Sequence, residues 1–215
     1  MYKLYSAYGT MGLSAHIVLE ALDVPYEIHF LDLEANEQKS SNYLKINPNG
    51  RVPALILQDG KIIYESSAIL VTLADAHPEA GLAPPPEEAQ RPEFLQWMFF
   101  LTNSLQATMM HALYPDRLVG DVSEDVLDAV RSGALQRVES YLKIIEAHLA
   151  KNGPYFLGNK TSVADIHLAL TCRALCKTSV SPRNYPHIAT FLNKIDALPY
   201  VRRACEQENI EGTLA

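Results

Sequence analysis

The chain has 215 residues, 48% of them hydrophobic and 20% charged, with a formal net charge of −7. That length holds one large domain or two small ones around a substantial core, and the apolar fraction excludes a disordered or fibrous chain. The acidic balance, with no basic stripe carrying interleaved aromatics, argues against nucleic acid or an anionic membrane as the main partner.

Met1-Tyr2-Lys3-Leu4-Tyr5 opens as a strand rather than as an apolar leader, and the longest apolar stretches are too short and too charged to span a bilayer. After Gly9, apolar residues at Leu13, Ile17, Leu19 and Leu22 recur at helical spacing, and Pro25 ends that helix. Residues 26–33 alternate like a strand. Asn47-Pro48-Asn49-Gly50 is a turn cluster, residues 52–57 read as a third strand, and Asp59-Gly60 turns the chain into a fourth at 61–64. Glu65-Ser66-Ser67 then opens a helix that stops before His77-Pro78. Strand, helix, strand, hairpin and helix in succession predict an α/β domain with a mixed sheet over residues 1–80.

Residues 81–92 contain Pro84-Pro85-Pro86, which cannot continue a helix, and read as a semi-rigid linker. From 93 to 215 the pattern is helical, with helices predicted at 93–113, 124–149, 162–176 and 188–198 and a short one after Pro199. Ser162 and Asp165 form a capping box with Asp in the place of the usual Glu, a folding element rather than a catalytic one. Three cysteines, Cys172, Cys176 and Cys205, make no disulfide framework and point to a reducing, cytoplasmic setting. Cys172 and Cys176 share a helix face without the further ligands a zinc site needs, so they read as buried thiols, and no metal is expected. Trp97, Phe99, Phe100, Met109 and Met110 on one long helix read as core.

Two short stretches carry more chemistry. In Arg51-Val52-Pro53-Ala54, a trans proline after a turn is the commoner reading, whereas a cis bond would present the Val52 backbone to an extended peptide as an added strand does. Glu65-Ser66 at a helix start is either a plain serine cap beside a dipole-compensating carboxylate or a site for an amino-acid headgroup. In the second reading the helix amides would take the carboxylate and Glu65 the ammonium.

The run from Gln38 to Leu55, followed by Asp59-Gly60 and by Glu65-Ser66-Ser67-Ala68-Ile69-Leu70, resembles the cytosolic glutathione S-transferase family. The resemblance continues through Thr161-Ser162-Val163-Ala164-Asp165-Ile166 and from Tyr185-Pro186-His187-Ile188 to Pro199-Tyr200-Val201, so it spans the chain. It implies a thioredoxin-like N-terminal domain, an all-helical C-terminal domain and a cytoplasmic homodimer with a detoxifying role. By position, Val52 ahead of a cis-Pro53 would pair with the cysteinyl backbone of glutathione. Glu65 and Ser66 would hold the γ-glutamyl headgroup, and Lys39 with Gln38 the glycine carboxylate. Asn103 and Ser104 fall on the helix that lines the intersubunit cleft in relatives.

Such enzymes lower the pKa of the glutathione thiol by a hydrogen bond to its thiolate, which then attacks an apolar electrophile. Thr10 falls where theta- and phi-like members place their active serine, at the start of the first helix; Tyr5 matches the tyrosine of other classes, and Ser6 stands third. The cysteine of the bacterial beta class aligns with Met11, and that class's His-Lys pair with Gln106-Ala107, so disulfide-exchange chemistry is not expected. With every cysteine in the helical half, the reactive sulfur should be the ligand's. Met11, Met110, His111 and Tyr114 are candidates for an electrophile pocket between the domains. The competing readings are a glutathione-dependent isomerase, dehalogenase or peroxidase, and a non-catalytic regulatory protein on the same fold.

Overall fold

The computed structural model describes residues 1–176, 178–210 and Leu214. They divide into two compact units, one of Met1–Pro85 with Ile195–Leu214 and one of Pro86–Lys194. The last helical stretch therefore groups with the α/β unit, whereas the sequence reading assigns it to the helical domain.

The first unit is built on β1 (Tyr2–Ser6), α1 (Gly12–Leu22), β2 (Tyr26–Phe30), β3 (Ala54–Ile56), β4 (Ile62–Tyr64) and α2 (Ser66–Ala76). The sheet runs β2-β1-β3-β4, with β1 and β2 parallel and the other two pairs antiparallel. Both of the longer strands expected from alternation are shorter here. β2 stops at Phe30 because Asp32 turns the chain, its carboxylate accepting from the Glu34 and Ala35 amides at 2.9 and 3.0 Å. β3 begins only at Ala54 because Pro53 has no N–H to give the ladder. Leu4, Leu13, Ile17, Leu19, Leu55, Ile69, Leu70 and Leu73 fill the core. α1 packs on α2 and on α9 (Pro199–Gln207). Gly12 is required where α1 meets β1: a Cβ there would lie 2.0 Å from Ser6 Oγ.

The second unit begins with α3 (Arg91–Phe99), whose first residues fall within the expected linker. The helix continues through a π-helical segment, Phe100–Gln106, into α4 (Ala107–Leu113). After α5 (Asp116–Val119) come α6 (Glu124–Asn152), α7 (Val163–Leu175) and α8 (Pro186–Asp196). Phe94, Trp97, Leu101, Leu105, Val138, Leu142, Ile145, Phe156 and Phe191 are its buried frame. Because Phe94, Trp97 and Leu101 turn one helix face inward, Phe99 lies off it and is 63% exposed, so its expected core role is corrected.

The capping box is present at the head of α7. The Asp165 carboxylate accepts from the Ser162 amide (2.7 Å), the Ser162 hydroxyl (2.8 Å) and the Phe156 amide (2.9 Å). Of the two α7 thiols, Cys172 is buried, and burial raises its pKa; Cys176 is exposed because α7 ends one residue before it, which corrects the expectation for that residue. Cys205, on α9, is buried within the first unit. Among the described residues, no helix is long and apolar enough to cross a membrane.

Candidate functional site

Strand register gathers most of the candidate residues at one end of the sheet. Tyr5 pairs with Ala54, and Ala54 with Tyr64, so the residues just beyond this row are the turn after Ser6, the Val52-Pro53 pair and the Glu65-Ser66 pair. Ser6 pairs with Phe30, and its carbonyl accepts from the Leu31 amide at 2.8 Å, so the segment leading to Gln38 and Lys39 leaves from the same end.

The Val52–Pro53 peptide is cis. The loop before it is braced from both sides: the Tyr43 hydroxyl and the Asn47 amide each donate to the Arg51 carbonyl at 2.7 Å. Burial pushes the Tyr43 phenol up to about 12. The Asn47 carbonyl accepts from Gly50 N and its side-chain oxygen from Asn49 N. Gly50 has φ +57, a conformation that favours glycine, and a Cβ there would press on the Gln38 carbonyl at 3.0 Å and push aside the flexible Lys39 side chain, whose Nζ it would approach to 2.8 Å. Lys39, exposed on a 3₁₀ turn over Glu37–Lys39, donates to the Asn49 carbonyl at 3.3 Å. The amide oxygen of Gln38 is buried with no hydrogen-bond partner among the described residues.

Glu65 occupies the N-cap of α2 with φ 73 and ψ 114, a conformation that costs a non-glycine residue about 1–3 kcal/mol. Its carbonyl closes the first turn by accepting from Ile69 N at 3.0 Å. No side chain caps this helix, so the plain-cap reading of Ser66 is corrected: Ser66 is instead the first helical residue, and it is buried. The exposed Glu65 carboxylate therefore stands beside an uncapped, electropositive helix end.

The three candidate hydroxyls differ in setting. Thr10 Oγ1 donates to the Ala7 carbonyl at 2.7 Å and accepts from the Gly12 amide at 3.2 Å, placing it just ahead of the Met11 N-cap of α1, whose first turn carries no acidic residue. The half-buried Tyr5 ring stacks on His29, centroids 4.9 Å apart, and joins Val52 and Ile46 around the Leu31, Tyr43 and Ala54 cluster. Ser6 is fully buried beneath Gly12.

Met11 is half-buried at the head of α1. In the other unit Met110 and His111 lie half-buried on α4, and Tyr114 just beyond it is exposed, with the Arg117 guanidinium 3.8 Å above its ring. Asn103 is exposed and Ser104 half-buried in the π segment. Among the described residues, no group of three or more His, Cys, Asp or Glu side chains is placed to hold a metal ion.

One participant has no local signature. The Glu208 carboxylate, arriving from the end of α9, accepts from the Gly9 amide at 3.0 Å in the turn that carries Thr10. The partners are 199 residues apart, and no spacing rule connects them.

Residues 1–75 match the family model of the glutathione S-transferase N-terminal domain, and residues 127–207 that of a glutathione S-transferase C-terminal domain. The chain is 26% identical over 210 residues to glutathione S-transferase GstA of Escherichia coli O157:H7, covering 97% of this chain and 100% of the relative. A glutathione transferase from Methylococcus capsulatus is 30% identical, with a TM-score of 0.85 over 98% of this chain and 100% of that one. A glutathione transferase homolog from Sulfitobacter, solved with bound glutathione, is 28% identical, with a TM-score of 0.87 over 96% and 98%.

Proposed function

This chain belongs to the glutathione S-transferase family and is a glutathione-dependent transferase, and we propose that the sheet end described above is where it holds and activates the tripeptide. The observation that carries the assignment is Glu65, kept at a strained positive φ at the head of a helix that no side chain caps. Strain of this kind persists where it serves a ligand, and the pairing suits a zwitterion: ammonium on the Glu65 carboxylate, carboxylate on Ser66 and the α2 amides. Val52 offers its backbone to the cysteinyl residue. Lys39 and the Gln38 side chain, which can donate through Nε2 but not through its buried oxygen, are assigned to the glycine end, where the lysine supplies the cation that the two carboxylates of the tripeptide need in a protein of net charge −7.

Thr10 is the favoured thiol partner. Its hydroxyl turns from the Ala7 carbonyl to the sulfur, and the α1 N-terminus adds its field to the same thiolate. Tyr5 comes second because its ring is held in the stack with His29. Ser6 comes last because it is sealed under Gly12. The thiol proton leaves to solvent, and the thiolate forms a carbon–sulfur bond with an apolar electrophile, expelling a leaving group or adding across an activated double bond. Met11, Met110, His111 and Tyr114 are the residues proposed for electrophile binding. A cytoplasmic homodimer, with Asn103 and Ser104 facing the intersubunit side, completes the reading.

The test is the absorbance of enzyme-bound thiolate as a function of pH in Thr10→Ala and Tyr5→Phe. The expected outcome is a rise of the bound thiol pKa in Thr10→Ala and little change in Tyr5→Phe; the reverse pattern transfers the role to Tyr5. Assays with an aryl halide, an alkyl halide and a hydroperoxide separate transferase from dehalogenase and peroxidase chemistry.

A further inference from the structure

We infer that Glu208 is a positioning residue for the thiol-activating turn: from the end of α9 it fixes the Gly9 amide, and through that turn it sets the direction of the Thr10 hydroxyl. This rests on the assignment of Thr10 proposed above. The Glu208 side chain is fully buried, and each of its oxygens has one partner: Oε2 accepts from Gly9 N at 3.0 Å, and Oε1 lies 3.0 Å from His16 Nδ1, also fully buried. Burying a carboxylate is unfavourable unless its oxygens are met, and here one of the two is given to the backbone of the turn.

Hydrogen bonds also tie the turn to the head of α1: Thr10 O accepts from Leu13 N at 3.1 Å and Thr10 Oγ1 from Gly12 N at 3.2 Å. Thr10 N donates to the Ala7 carbonyl at a long 3.2 Å, and the Thr10 hydroxyl donates to the same oxygen at 2.7 Å. When that hydroxyl swings to a thiolate, the carbonyl keeps only its two longer bonds, from Thr10 N at 3.2 Å and from the Ser6 hydroxyl at 3.5 Å. The Gly9–Glu208 bond then holds the backbone still while the side chain rotates.

A network behind Glu208 keeps the carboxylate in place. His16 Nε2 lies 2.8 Å from Gln207 Oε1 and 3.2 Å from the Tyr26 hydroxyl. Gln207 donates to Glu20 Oε1 at 3.0 Å, the Tyr26 hydroxyl donates to the same oxygen, and Arg203 Nε donates to Glu20 Oε2 at 2.6 Å. Tyr26 and Arg203 thus hold Glu20 ionised: burial works against the charge, and these hydrogen bonds outweigh it. The chain from Arg203 to Gly9 lies wholly within the first unit, so α9 is a structural part of the active turn.

The test compares Glu208→Ala, Glu208→Gln and Thr10→Ala, singly and combined, by the thiolate absorbance of bound glutathione and by kcat and KM. In Glu208→Ala the thiolate fraction near neutral pH falls about tenfold, the worth of one charge-assisted hydrogen bond. kcat falls with it, and KM for glutathione rises by no more than about the same factor, because the thiolate that is lost belongs to the bound ground state. Glu208→Gln, which keeps an acceptor oxygen for Gly9, restores at least half of the lost thiolate. Glu208→Ala adds nothing further in the Thr10→Ala background. If Glu208→Ala does not fold, Glu208→Asp, which withdraws the carboxylate by one methylene, carries the same test.

A lowered Tm with an unchanged thiolate fraction would overturn the proposal. So would additive losses in the double variant, or a Gln variant as impaired as Ala. A Thr10→Ala variant that keeps the parent's thiolate fraction refutes the Thr10 assignment itself. An impaired Thr10→Ala beside an unimpaired Glu208→Ala refutes only the positioning role.

Discussion

Asp165→Ala removes the acceptor at the centre of the capping box. The carboxylate is fully buried and takes three hydrogen bonds, two of them from the Ser162 and Phe156 backbone amides, which are buried as well. Leaving each amide unpaired costs about 1–3 kcal/mol, and loss of the Ser162 hydroxyl bond adds about 1 kcal/mol. The expected destabilisation is therefore about 3–7 kcal/mol, a large share of the about 5–15 kcal/mol that holds a folded protein together. Asp165→Asn keeps one acceptor and relieves the burial of charge that pushes this carboxyl up to about 6, so it costs about half as much. Urea unfolding followed by Trp97 reads this directly: it is the only tryptophan of the chain, and its ring lies 4.6 Å from that of Phe156. Glutathione affinity of the folded variant should be unchanged, because the box and the proposed tripeptide contacts belong to different units. A loss below about 1 kcal/mol, or an Asn variant less stable than Ala, would refute the reasoning.

Glu65→Gly relieves the positive φ and should stabilise the fold by about 1 kcal/mol while weakening glutathione binding at least tenfold, measured by thermal unfolding and calorimetry. Gly50→Ala forces both an unfavourable φ and a 2.8 Å approach to Lys39, so KM for glutathione should rise while kcat at saturation is retained. Burial depresses the His167 imidazole to about 4 from 6.5, so its unfolded form takes up a proton first as pH falls. The stability of the neutral buried ring is present above about 6.5 and is lost as pH drops towards 4, by about 3 kcal/mol in all. Asp165, raised by burial, acts with the opposite sign between about 4 and 6. The prediction therefore concerns the difference in urea stability between the parent and His167→Gln, which should move by about 3 kcal/mol in the variant's favour as pH falls from about 6.5 to 4; parallel profiles would contradict it.

The order of elements is legible because two periodicities govern it: alternation in β1 and β2, and helical spacing from α1 to α9. The proposed tripeptide contacts come from the family resemblance of Asn47 to Pro53 and Glu65-Ser66, because the residues alone favour a trans Pro53 and a plain serine cap, and neither the cis bond nor the positive φ of Glu65 follows from local preference. The π segment at Phe100–Gln106 is not legible, because its extra residue per turn leaves the surrounding apolar spacing nearly intact. Phe99 shows the consequence: it is apolar, it sits in an apolar helix, and it faces solvent. Cys176 escaped burial by a single residue of helix length. The hold of Glu208 on Gly9 is invisible for a different reason, because pairing across 199 residues exists only once α9 has packed on α1.

The titration of bound glutathione bears most directly on thiol activation at the proposed site. Saturating the parent protein with glutathione and following thiolate absorbance against pH should give a thiol pKa well below the about 8.5 of an unperturbed thiol. That depression should be largely lost in Thr10→Ala. A bound thiol that titrates like free glutathione, or the absence of saturable binding at millimolar concentration, would contradict it.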